Sequence, residues 1–128
     1  MILIMNGCHS EPRTKCSSKT TVTGKVLDSV TQKPIRNASI TGNIKTDSNG
    51  MFHIPDTVTL KITTSKNGPW GCHRSFIVSK NGYTPMFCIR DIRFANISSY
   101  IPLTPIKNKV ENKFTLVGSG VYCKPYLK

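Results

Sequence analysis

The feature that most constrains this chain is the way residues 21–54 interrupt short alternating apolar stretches with clusters of turn residues. Val22-Thr23-Gly24-Lys25-Val26-Leu27 alternates with a period of two, which puts Val22 and Val26 on one pleat face and polar groups on the other. Asp28, Ser29, Thr31 and Lys33-Pro34 follow. These residues either lack a donor for a ladder or hydrogen-bond their own backbone, so the chain is expected to reverse there. Residues 38–44, from Ala38 to Ile44, predict a second strand. Thr46-Asp47-Ser48-Asn49-Gly50 predicts another reversal, because Asn-Gly takes positive φ at low cost in a tight hairpin. Met51-Phe52-His53-Ile54 then alternates again, with His53 an outward strand residue. Reversals of this kind predict an antiparallel β-domain.

The rest of the chain continues in the same style. Residues 57–64 give the cleanest alternation, with Val58, Leu60 and Ile62 on the inward face. Ser65-Lys66-Asn67-Gly68-Pro69-Trp70-Gly71 reads as a loop, since Pro69 has no amide proton to offer. Strands are expected at 75–79, 86–92 and 99–103, with Lys80 to Pro85 as a turn. Pro102 and Pro105 suit an edge position for the last of these strands. Arg90, Asp91 and Arg93 are expected to form a surface ion pair of small energetic weight. After residue 106 the chain is polar, and Phe114 to Val117 predicts one further strand before Gly118-Ser119-Gly120 breaks it.

The order Gly24-Lys25-Val26, Asp28, Thr31, Pro34-Ile35, Ala38, Ile40, Thr46-Asp47, Asn49-Gly50, Phe52 and Gly82-Tyr83 resembles the carboxypeptidase regulatory-like domain. The resemblance covers residues 20–106. It implies an all-β fold, a seven-stranded antiparallel Greek-key sandwich of the transthyretin-like or immunoglobulin-like kind. It also implies a structural or binding module rather than an enzyme, with Tyr83 packed on the edge of the core. Residues 1–19 would then be a leader-like segment and tether, and residues 107–128 a C-terminal tail.

The 128 residues carry 18 Lys and Arg against 6 Asp and Glu, a net charge of +12, so anions are favoured neighbours. The lysines are spread along the chain without a dense cluster, and the aromatic residues do not interleave with them as in single-stranded nucleic-acid platforms, which argues for a solvated basic surface rather than a nucleic-acid site. The partners expected are a membrane, an anionic envelope polymer or another protein.

Ile2-Leu3-Ile4-Met5-Asn6-Gly7-Cys8 resembles the end of a bacterial lipoprotein signal, with Cys8 as the acylated residue. Its short apolar stretch and missing basic region are what a start codon placed too far downstream would give. The chain is therefore expected on the bacterial cell envelope, in the outer membrane or periplasm, held by a lipid anchor. Acylation of Cys8 leaves Cys16, Cys72, Cys88 and Cys123, which allow two disulfides in three connectivities. Pairing Cys16 with Cys123 would tie both termini to the sandwich, and Cys72 with Cys88 would close the loop around Gly82-Tyr83.

No Cys-x-x-Cys or His-x-x-x-His spacing gathers four ligands, so no metal and no cofactor are expected. Gly118-Ser119-Gly120 lacks the spacing of a nucleophile elbow, and no catalytic residues are assigned. Trp70 is the side chain to inspect for binding: it either caps the core or stands out as a contact. The alternative to a non-catalytic module is a small transthyretin-like hydrolase or a secreted binding factor that uses the basic surface and the Trp70 loop.

Overall fold

A computed structural model of the chain describes residues 21–41, 43–55, 61–64, 72–91, 99–118 and 120–127, without the side chains of 61–64, 72, 73 and 91. Among the described residues there is no helix. The strands are β1 (Val22–Asp28), β2 (Ser39–Ile40), β3 (Ile44–Lys45), β4 (Met51–Ile54), β5 (Lys61–Thr64), β6 (Cys72–Ser79), β7 (Met86–Asp91), β8 (Ser99–Leu103), β9 (Thr115–Gly118) and β10 (Val121–Pro125). They form two sheets, the arrangement of a β-sandwich. One is three-stranded, in the order β4-β1-β8. The other is seven-stranded, in the order β3-β2-β6-β7-β10-β9 with β5 also paired to β6.

The period-two pattern decides which residues meet between the sheets. Val22, Val26, Phe52, Ile54, Ile101 and Leu103 of the small sheet share one buried cluster with Ile40, Phe76, Val78, Cys88, Val121 and Cys123 of the large one. Phe52 and Phe76 cross between the layers with ring centroids 6.0 Å apart. Each such aliphatic or aromatic side chain contributes about 1.5–3 kcal/mol by leaving water. Gly24 has a steric role in this packing: a Cβ there would lie 2.8 Å from the Phe52 ring and 2.9 Å from the Ser99 carbonyl. The absence of a side chain lets Phe52 lie across β1.

The predicted turns form through the residues that predicted them. Gly50 takes φ of 77°, while the Asp47 carboxylate accepts hydrogen bonds from the Asn49 and Met51 amides at 2.8 and 2.9 Å. A Cβ on Gly50 would come within 2.6 Å of the Val26 carbonyl. Thr46 is buried and ties the end of β3 to the turn before β2: its hydroxyl donates to the Ile35 carbonyl at 2.6 Å and accepts from the Ala38 amide at 2.8 Å.

Several expectations are corrected. Residues 38–44 are not one strand; β2 and β3 pair with each other, Ser39 with Lys45 and Ile40 with Ile44. Thr41 and Asn43 are turn residues, so the chain reverses within the run. The antiparallel expectation fails in the small sheet, where β8 runs parallel to β1 from Gly24–Ser99 to Asp28–Leu103. A chain that crosses between layers can return in either direction, which local alternation does not specify. The segment 107–128 supplies two strands, β9 and β10, and β10 lies inside the large sheet between β7 and β9. Arg90 is not at the surface: it is 1% exposed. The expected inward residues Val58 and Leu60, and the side chain of Ile62, lie outside what is described.

The disulfide pairing is also different. Cys88 is bonded to Cys123, so neither Cys16–Cys123 nor Cys72–Cys88 forms. The two residues are directly opposite in the β7–β10 register, with Cα atoms 4.1 Å apart, the close spacing of facing residues in an antiparallel pair. Because the bridge closes 35 residues, replacing both cysteines with serine is expected to cost roughly 3–4 kcal/mol. Urea unfolding of the oxidised wild type and of the double variant measures the difference.

Candidate functional site

A polar groove of about 470 Å³ lies where the ends of β2, β3 and β6 meet the turn after β6. Asn37, Ser39 and Lys45 line one side, and Ser79, Lys80, Asn81 and Tyr83 line the other. Each wall is fixed by backbone chemistry. Asn37 adopts φ of 58°, the left-handed conformation asparagine tolerates well, and its amide donates to the Thr46 carbonyl at 3.1 Å. Lys45 Nζ donates to Ser39 Oγ at 2.8 Å, which holds the ammonium beside the hydroxyl. Opposite, Gly82 takes φ of 90°. The Tyr83 amide donates to the Lys80 carbonyl at 3.0 Å and the Ile106 amide to the Gly82 carbonyl at 3.0 Å.

Tyr83 packs at the edge of the core, as expected, and also lines this groove. Its ring packs against the buried cluster, and its hydroxyl donates to Asp28 Oδ2 at 2.7 Å. Asp28 Oδ1 accepts from the Val30 and Thr31 amides at 2.7 and 2.9 Å. The Tyr83 hydroxyl, aided by those amides, holds the Asp28 carboxyl below its ordinary 3.8. The same bond, together with burial and the carboxylate charge, raises the phenol above its ordinary 10.0.

Such a groove presents ammonium, hydroxyl and carboxamide groups, the set that suits an anionic or hydroxyl-rich ligand through charge-assisted hydrogen bonds. His53 stands on β4 as an exposed residue and contributes nothing to it. Among the described residues, no three His, Cys, Asp or Glu side chains gather into a metal-binding set.

The sequence-predicted site residues are distributed otherwise. Cys8, Cys16 and Trp70 lie outside the described residues. Cys72 opens β6, with its backbone opposite Thr64 of β5. Cys88 and Cys123 are joined in the core. Neither Cys88 nor Cys123 lines the groove. Lys45, Lys80 and Asn81 carried no special signal in the sequence beyond general basicity, because strand pairing brings them together from segments far apart in the chain.

A second polar feature sits within the sandwich. Arg74 and Arg90 are 0% and 1% exposed and face each other across β6 and β7. They occupy the same inward series as Phe76 and Val78 on one strand and Met86 and Cys88 on the other. Each has interaction partners of its own, as a guanidinium removed from water requires. Alternation counted outward from Phe76 and Cys88 would have placed both arginines inside.

Comparison of the chain with models of known protein families gives no match, and comparison with curated protein sequences gives none either.

The Tyr83–Asp28 bond needs an ionised carboxylate and a protonated phenol. Its contribution is therefore present near neutral pH, lost as pH falls through the lowered Asp28 pKa, below 3.8, and lost as pH rises through the raised Tyr83 pKa, above 10.0. Tyr83→Phe is expected to lower the melting temperature at neutral pH, with the gap from wild type closing toward both extremes. Thermal unfolding of the two proteins across pH is the measurement.

Proposed function

We propose that this chain is a non-catalytic β-sandwich module of the bacterial envelope, lipid-anchored through Cys8, that binds an anionic envelope polymer along its lysine-bearing groove. In this reading residues 20–106 are a transthyretin-like Greek-key sandwich of the carboxypeptidase regulatory-like kind, and β9 and β10 are an addition to it. The observation that carries the binding role is the polar groove itself: Lys45 and Lys80 stand with Asn37, Ser39, Ser79 and Asn81 around one opening. An ammonium held by a neighbouring hydroxyl, as Lys45 is, is already oriented for an anion. The setting is supported by the buried Cys88–Cys123 bridge, since structural disulfides persist in oxidising compartments. The charge of +12 adds attraction toward acidic polymers at longer range.

The test uses dextran sulfate as the anionic polymer and neutral dextran as its control. Lys45→Gln with Lys80→Gln is expected to weaken dextran sulfate binding by about tenfold or more, as lost charge-assisted hydrogen bonds do. The pair Lys33→Gln with Lys113→Gln removes the same charge elsewhere and is expected to change affinity much less. Equal losses in the two pairs would reduce the groove to general basicity. Mass measurement of the mature N-terminus checks the anchor: an acylated Cys8 is expected, and an unmodified N-terminal segment retaining Met1 would overturn that part.

A further inference from the structure

We infer that the outer face of β7, β10 and β9 is a second membrane contact, which lies flat on an anionic lipid surface. On this face the inward residues of the strands point to the core, so their alternates point to solvent. Beside Lys124, the side chains gathered here and just after β10 are largely apolar. Phe114 is 43% exposed, Leu116 58%, Tyr126 42% and Leu127 54%. Phe87 sits among them, with ring centroids 6.3 Å from Phe114 and 6.5 Å from Tyr126. Lys124 rises through the patch with Nζ 5.1 Å from the Phe114 ring centre.

Charge complementarity decides the occupant. Lys124 supplies a cation on the face itself, and Lys107 lies in the exposed segment leading into β9; Lys109 and Lys113 line a groove on the other side of β9 with Met86 and Pro125, where Lys113 is paired with Glu111 at 3.1 Å. Aromatic rings and leucines backed by lysines match a bilayer interface: the rings enter the headgroup layer, and lysines lay their stems along apolar surface with the ammonium at the lipid phosphates. A second copy of the chain fits worse. Four side chains about half exposed offer on the order of 400 Å², against ~800 Å² per partner in a stable dimer. Apposition would also bring two surfaces of the same net charge, +12, together.

The inference takes its envelope setting from the proposed function, but its test does not depend on the anchor. The full chain carrying Cys8→Ser has no acylation site, and the apolar residues 2–5 are common to every variant compared. Sedimentation with vesicles of equal phosphatidylglycerol and phosphatidylcholine is expected to pull down this chain, and pure phosphatidylcholine vesicles much less. Adding Phe114→Ser with Leu116→Ser is expected to weaken binding about tenfold or more. Because both residues are exposed, a thermal melt near that of the parent should accompany the loss. Lys124→Gln, which leaves the apolar residues in place, is expected to lower affinity about fivefold. The groove pair Lys45→Gln with Lys80→Gln is expected to stay within about twofold, because those charges lie away from the contact. Unchanged binding in the serine pair, equal loss in the groove pair, or a dimer that forms through this face without vesicle binding would each overturn the inference. An unmodified Cys8 in the native protein would remove the anchor and leave this contact standing.

Discussion

Strand β10 enters the large sheet between β7 and β9, and the rest of that half of the molecule depends on its being seated there. Its register with β7 runs from Val121 opposite Arg90 to Pro125 opposite Met86, and Val121, Cys123 and Pro125 are all buried. The covalent bond from Cys123 to Cys88 joins strands that are far apart in the chain, which removes much of the chain entropy that opposes their pairing. Remove β10, and β7 becomes an edge whose inward residues lose their cover. Among the described residues β9 pairs with β10 alone, so the outward row of Phe114 and Leu116 is held in place through β10.

At the other end of the large sheet, the organising chemistry is polar. Thr46 satisfies the Ile35 carbonyl and the Ala38 amide, and Tyr83 spans from the core to Asp28. These contacts hold the two turns in place, since a buried polar group without its partner would cost about 1–3 kcal/mol. The lysines and amides of the groove sit on those walls. The fold thus presents two surfaces of different character: a polar, lysine-bearing groove beside β2 and β3, and an apolar face with lysines beside β9.

Much of the fold was legible from residue chemistry. The inward faces of β1 and β4 followed from alternation at Val22, Val26, Phe52 and Ile54, and the turn at Gly50 followed from Asn-Gly, because both are set by neighbours within a few residues. Tyr83 was placed correctly at the edge of the core. The errors share a cause. Charge alone puts Arg90 at the surface, although its position in the Met86-Cys88-Arg90 series is inward; the strand period outweighs the residue's usual preference. The apolar residues of 38–44 suggest one strand, although the Gly-Asn dipeptide in that sequence is itself a turn signal. The groove was not legible, because none of its members is unusual in its own segment.

By itself, the sequence determined that the chain would be β-structured, where many of its reversals fall, and that its surface would be strongly basic, since each of these rests on local conformational preference or on a sum of charges. Tertiary structure alone decided that Cys88 pairs with Cys123, that β8 runs parallel to β1, that two arginines face each other in the interior, and which lysines share a groove. Those outcomes depend on strands distant in sequence becoming neighbours, and the register of such a pairing is fixed by the packing of both layers together rather than by any one stretch of residues.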